Sequence, residues 1–165
     1  MVEMYLIRHA IAEERGDAWP DDTQRPLSDE GMARMRRAAK GLAALGARFD
    51  LVLASPLVRT RQTAEIVCAA FDKRPSLAMA ESLAPDGDYA DVISDLRKHA
   101  HRSRLALVGH EPNIGELAGR LIGSKRPLEF KKGAVCRIDV DRLPPESPGV
   151  LRWFLTPGIL RAIET

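Results

Sequence analysis

Four side chains of the 165-residue sequence stand where chemistry could be done. Arg8 and His9 end the apolar run Met4-Tyr5-Leu6-Ile7, Arg59 follows the run Leu51-Val52-Leu53-Ala54, and His110 follows Leu105-Ala106-Leu107-Val108. Guanidinium forks match phosphate oxygens, and helix amino termini aim fixed N–H dipoles. Two arginines, two histidines and helix starts near Ser55 and Glu111 therefore suit a phosphate dianion. A neutral histidine beside such a cradle, with a free ring nitrogen in line with the leaving group, can attack phosphorus and become a phosphohistidine. The second histidine, if protonated, would neutralise charge building on the transferring group together with the arginines. Each well-placed donor of that kind is worth roughly 3 kcal/mol at the barrier.

The elements around these residues must bring them to one place. Each short apolar run reads as a buried strand that delivers its polar ending to one sheet edge. After the first run the chain is polar and rich in turn formers through Gly16, Pro20 and Asp21-Asp22, which predicts a loop to about Leu27. Ser28 then caps a helix with Asp29 and Glu30 in its first turn and Leu27 stapled onto Met32. Met32, Met35, Ala39 and Leu42 follow at helical spacing, and Gly46 closes the element. Ser55-Pro56 opens a second helix, with Leu57, Ala64, Val67, Cys68 and Phe71 as its buried stripe. A weaker strand fits Ser76 to Ala80, and Tyr89, Val92, Ile93, Leu96 and Ala100 mark a third helix. Pro112 starts a fourth, carrying Ile114, Leu117, Ala118 and Leu121 and ended by Gly123. Two strand-like runs, Ala134 to Val140 and Val150 to Leu155, flank a proline-rich loop and predict an antiparallel hairpin at a sheet edge. Residues Pro157 to Thr165 form a short helix or tail. Strands alternating with helices predict an α/β fold, a three-layer αβα sandwich whose sheet is mostly parallel with an antiparallel edge. Ligands of such sheets bind beyond the carboxyl ends of the strands.

Composition narrows the function classes. With 45% hydrophobic residues, 165 residues are expected to make one domain, 1–165. A net charge of +2 gives no reason to expect nucleic acid or an anionic membrane as partner. Cys68 and Cys136 lack metal-ligand spacing and lie in core-like segments, so a reducing compartment is expected. The first residues lack a basic region before an apolar one, and nowhere do about 18 apolar residues run together; the expectation is a soluble, cytoplasmic protein. His110-Glu111-Pro112-Asn113-Ile114 lacks the second histidine of an HExxH zinc helix, and there is neither a P-loop nor a GxGxxG turn. No metal and no cofactor are expected. His99 and His101 read as surface residues. Lys125, Arg126, Lys131 and Lys132 read as a solvated face or, less often, a docking patch for an acidic partner.

The motifs in order resemble the histidine phosphatase superfamily: Arg8-His9-Ala10, then Ser55-Pro56-Leu57-Val58-Arg59-Thr60-Arg61-Gln62-Thr63, then Gly109-His110-Glu111-Pro112. Within it, the short length, the stretch Arg25-Pro26-Leu27-Ser28 and the ending Trp153-Phe154-Leu155-Thr156-Pro157 are similar to the SixA-type phosphohistidine phosphatases. The resemblance implies a phosphoglycerate mutase-like fold and a metal-independent phosphatase. His9 would be the phosphorylated nucleophile, Arg8 and Arg59 the grip on the phosphoryl oxygens, and His110 the second pocket histidine, with Arg25 adding to the anion site. Larger members take a proton donor from an inserted segment that is short here. Glu81 matches that position best, with Glu13, Glu14 and Asp88 as alternatives. The implied substrate is a phosphohistidine-bearing protein, such as a phosphotransfer domain, since a protonated imidazole leaves readily and a short insertion leaves the pocket open. A small phosphate ester and a non-catalytic phosphate-binding module are the alternatives.

Overall fold

A computed structural model describes residues 1–163, and its first strand, β1 (Val2–Arg8), sends alternate side chains to opposite faces. Val2, Met4 and Leu6 join one core cluster while Tyr5 and Ile7 join another. Both faces of the strand are covered, which is why it reads as a nearly unbroken apolar run. β2 (Leu51–Ala54), β3 (Ser76–Met79) and β4 (Arg104–Gly109) complete the parallel part of a six-stranded sheet in the order β3-β2-β4-β1-β5-β6. β5 (Val135–Val140) and β6 (Val150–Leu155) form the antiparallel hairpin at one edge, as expected from the proline-rich loop between them.

Helices lie on both faces. On the Tyr5 side are α1 (Asp29–Ala44), α2 (Val58–Ala69) and α5 (Pro157–Ile163), which bury Met35, Leu42, Ala64, Val67 and Leu160. Opposite, α3 (Tyr89–Arg97) and α4 (Asn113–Leu121) bury Val92, Leu96, Ile114, Leu117 and Leu121. The three-layer α/β architecture with an antiparallel edge is the one the alternation of elements predicts. Among the described residues no helix is long and apolar enough to cross a membrane. Glu164 and Thr165, the end of the expected tail, lie outside the described residues.

What positions the site is the place of β4. It is inserted between β1 and β2, with Arg8 level with Gly109 and Ala54 level with Val108. The residues leaving the three strands are then tied across: His9 N–H donates to Gly109 O at 3.1 Å, and Ser55 N–H to Val108 O at 3.1 Å. Three strand ends remote in sequence become neighbours.

Local signals hold for most elements. Ser28 Oγ accepts the Gly31 N–H at 3.0 Å, Leu27 is buried in the cluster that Met32 packs against, and Gly46 adopts φ +90° after α1. The opening of α2 differs from expectation. It begins at Val58, not at Ser55-Pro56, and Ser55 caps nothing in it. The Ser55 hydroxyl faces His110 instead, while Thr60 Oγ1 donates to the Ser55 and Leu57 carbonyls and holds the turn closed.

The loop after β1 is clamped to α1 at Gly31. Ile11 O accepts the Ser28 N–H, and a β-carbon on Gly31 would sit on that same carbonyl oxygen. Gly31→Ala is therefore expected to lower unfolding stability by about 1–3 kcal/mol, the usual cost of overpacking, as read by urea denaturation at neutral pH.

Candidate active site

His9 leaves β1 into a buried position and is 6% exposed. Its Nδ1 lies 2.7 Å from the Ala10 carbonyl oxygen. A carbonyl can only accept, so Nδ1 carries the proton and the free lone pair is on Nε2. Ala10 is itself pinned, since its N–H donates to Thr63 Oγ1 at 3.1 Å and that hydroxyl donates to Arg59 O at 2.7 Å. The tautomer of His9 thus depends on the first turns of α2. Burial pushes its pKa down to about 3, opposed by the Ala10 bond and assisted by the charges of His110, Arg59 and Arg8. At neutral pH it is an uncharged imidazole with its one proton on Nδ1.

His110, 3% exposed, faces it with ring centroids 5.3 Å apart and planes at 58°. Its Nε2 is hydrogen-bonded to Ser55 Oγ at 2.8 Å, and that oxygen also accepts the Leu57 N–H at 3.3 Å. His110 Nδ1 is buried without a partner. Burial is the first cause that lowers its pKa to about 3, with Arg59 second and Asp22 pulling the other way. His110 is therefore neutral before an anion binds, and the protonation that its charge-neutralising role requires would be favoured by a bound dianion. A cavity of about 160 Å³ lined by Leu83, Tyr89, Gly109, His110 and Ile114 flanks this histidine.

The arginines complete the pocket. Arg8 Nη1–H donates to Phe130 O at 2.7 Å, which leaves its Nε buried and unpartnered. Arg59, 3% exposed, is gripped at its far end by one residue: Nη1–H donates to Asp22 O at 2.9 Å and Nη2–H to Asp22 Oδ2 at 3.1 Å. Its Nε too is buried without a partner. Four buried side-chain N or O atoms lack a hydrogen-bond partner among the described residues, and three of them are Arg8 Nε, Arg59 Nε and His110 Nδ1. All three residues act electrostatically on His9, and buried guanidinium N–H groups without an acceptor are costly, which makes this a candidate anion site.

Asp22 is the residue that motif reading missed. In a 3-10 turn over Asp22–Gln24, its carboxylate also accepts from Arg25 Nε at 2.8 Å, and Arg25 reaches Glu13 O through Nη1 at 2.8 Å. The Arg25 bond holds the Asp22 carboxyl below its ordinary range against the opposing effect of burial, and Arg59, Arg25 and Arg15 add to the lowering. Sequence could have exposed it only as an acidic residue three before Arg25. Ser55, read as a cap, is the other missed member.

The proton-donor candidates are placed differently. Glu81 is exposed and lines a cavity that adjoins the one beside His110, sharing Ser82 and Gly87 with it. Glu13 offers its carbonyl, not its carboxylate, to Arg25; Asp88 lines the cavity beside His110 and caps α3 by accepting the Asp91 N–H at 2.9 Å. Glu14 is exposed. Glu111 caps α4, accepting the Gly115 N–H at 2.9 Å. Burial raises its pKa, opposed by N–H groups of Gly115 and Phe130 and by nearby Arg8. No group of three or more His, Cys, Asp or Glu among the described residues is placed to hold a metal ion.

Residues 4–83 match the family model of the histidine phosphatase superfamily, branch 1. An uncharacterized protein of Picosynechococcus is 40% identical over 119 residues, 71% of each chain. The chain belongs to the histidine phosphatase superfamily. Phosphohistidine phosphatase SixA of Escherichia coli is 26% identical across 97% of each chain. A solved protein histidine phosphatase SixA complexed with tungstate superposes with a TM-score of 0.85 at 25% identity, covering 96% of this chain and 99% of that one. The superfamily match contains Arg8, His9, Arg25, Arg59 and Glu81. His110 lies beyond it and joins the site through the place of β4 in the sheet.

Two predictions follow from the buried charges. His9 and His110 titrate near 3 when folded and near 6.5 when unfolded, so between those values the unfolded chain binds more protons and stability falls as pH drops from about 6.5. Urea denaturation in phosphate-free buffer should show that fall, and His9→Asn should flatten it. Asp22→Asn should release Arg59, lowering kcat by roughly 10- to 100-fold through misplacement. It should also strengthen inhibition by inorganic phosphate, because the pocket gains net positive charge; steady-state kinetics with added phosphate reads both.

Proposed function

We propose that this protein is a metal-independent phosphatase that removes the phosphoryl group from phosphohistidine on another protein, through a phosphorylated His9. The observation that carries the reading is the arrangement around His9: a neutral imidazole with Nε2 free, beside the unpartnered donors of Arg8, Arg59 and His110. Nε2 attacks phosphorus as the bond to the leaving nitrogen breaks, and that bond's electron pair goes to the departing imidazole. Arg8 Nε–H and Arg59 Nε–H hold the equatorial oxygens. With the Ser55 hydroxyl donating to Nε2 of His110, Nδ1–H of that ring is the third donor. Water then attacks the phosphorylated His9, inorganic phosphate leaves, and Nε2 recovers its lone pair. Tungstate bound by the SixA relative is an oxyanion of similar shape to phosphate, which supports an anion site in this fold.

The choice of leaving group rests on proton supply. Glu81 lines another cavity, and Asp22 is held ionised by Arg25 and Arg59. A phosphoramidate needs neither, because its imidazole can depart already protonated. One feature favours a second reading, a small phosphate monoester as substrate: Glu111, next to His110 and near Arg8, is a carboxyl with a raised pKa and could protonate an alkoxide.

Phosphate release with EDTA present, from a chemically phosphorylated histidine phosphotransfer protein and from a panel of phosphate monoesters, tests both. Release from the phosphoprotein that drops at least 10³-fold in His9→Ala and is little changed in Glu111→Gln supports the proposal. Release mainly from an ester, and lost in Glu111→Gln, supports the second reading. Anion binding without turnover of any substrate would mark a binding module instead.

A further inference from the structure

A cavity of about 300 Å³ on the α1 and α5 side is lined by four cations from three parts of the chain: Arg34 of α1, Lys131 and Lys132 of the loop before β5, and Arg161 of α5. No carboxylate lines it. Arg34 pairs with Glu30 outside the cavity wall, and no carboxylate among the described residues pairs with Lys131, Lys132 or Arg161. Like charges gathered on one concave surface repel one another and raise the local concentration of anions. This stands against a chain whose net charge is only +2.

The cavity shares its walls with the active site. Ala10, whose carbonyl orients His9, is one of its lining residues, with Ile11 and Gly133 beside it. Gly133 N–H is shared between the carbonyls of Arg8 at 3.1 Å and His9 at 3.0 Å, and Arg8 N–H donates to Ala134 O. The lysine loop and the nucleophile are therefore fastened together by backbone bonds. An anion gripped by Lys131 and a phosphoryl group at His9 would lie on adjacent sides of the same few residues. Lys125 and Arg126, by contrast, line a different cavity with Glu116 and Arg120 beside α4, so the four basic residues read together from sequence divide in two.

We propose that this cavity receives an acidic segment, aspartate or glutamate side chains, of the protein that carries the phosphohistidine. The inference rests on the protein-substrate reading above and adds the chemistry of the partner. The occupant is a carboxylate-bearing segment, not a second phosphate. The His9 pocket holds one anion with buried, orphaned donors, whereas Arg34, Lys131 and Lys132 are exposed and the space they line is wider than one phosphate.

The test compares wild type with Lys131→Glu/Arg161→Glu and with the milder Lys131→Gln/Arg161→Gln. Substrates are a net-acidic phosphohistidine phosphotransfer domain and free phosphohistidine. Both variants should lose kcat/KM on the phosphoprotein, by about tenfold or more for the glutamate pair, and its dependence on ionic strength should flatten. Free phosphohistidine should be hydrolysed within twofold of the wild-type rate. Poly-glutamate should compete with the phosphoprotein in wild type only. Wild-type rates in both variants would overturn the proposal, and so would equal losses on the two substrates, which would mean a disturbed His9. If wild type cleaves free phosphohistidine but not the phosphoprotein, the protein-substrate reading fails. Titration of labelled poly-glutamate then decides the cavity: salt-sensitive binding lost in the variants supports an acidic occupant, and equal binding overturns it.

Discussion

The structure is governed by the need to keep three nitrogens buried and unpaired. Arg8 Nε, Arg59 Nε and His110 Nδ1 each forgo water without gaining a protein acceptor, at a cost on the order of 1–3 kcal/mol apiece. Left to themselves these side chains would swing toward solvent or toward a carbonyl. They are prevented by the ends of the same groups that are already engaged: Phe130 O holds Arg8, Asp22 holds Arg59, and Ser55 holds His110. Each donor is thus aimed by a bond made at its other edge. The two core clusters on either side of the sheet supply the apolar burial that offsets the cost.

The loop between β1 and α1 assembles this arrangement. Gln62 Oε1 of α2 accepts the Leu27 N–H at 2.8 Å, and the loop backbone bridges Ala12 to Leu27. Arg25, buried at 7% exposure, ties the Asp22 turn to Glu13. This is a polar scaffold laid over a rigid sheet edge, and its stiffness comes from bidentate and charge-assisted bonds, not from hydrophobic contact. Arg25, expected from sequence to add to the anion site, bonds through Nε to Asp22, the residue that holds Arg59, and through Nη1 to Glu13 O. A charge can serve a phosphoryl site at one remove.

Much of the fold was legible in the sequence because its central strands β1, β2 and β4 are short and buried on both faces. A run such as Leu105 to Val108 has few other readings when it is bounded by charged and turn-forming residues. The ends of those runs named Arg8, His9, Arg59 and His110 without knowledge of strand order, since any parallel sheet gathers its carboxyl ends. What stayed hidden depends on distance in sequence. Ser55 looked like a cap because Pro56 follows it; its histidine partner lies 55 residues away. Asp22 looked like a turn former because Arg59 lies 37 residues away. Lys125 and Lys131 looked like one patch because they are near in sequence, and the turn from α4 into β5 separates them.

The charges of the pocket also bear on which substrates it can serve. Arg8, Arg25 and Arg59 are opposed by Asp22, with Glu111 close to Arg8, while the two histidines are neutral. A pocket of three cations and only neutral donors would bind phosphate tightly and release it slowly, because product and transferring group look alike to it. Asp22 offsets part of that charge while keeping Arg59 in place. The residue that sequence reading passed over thereby sets both the position of Arg59 and the net charge around it.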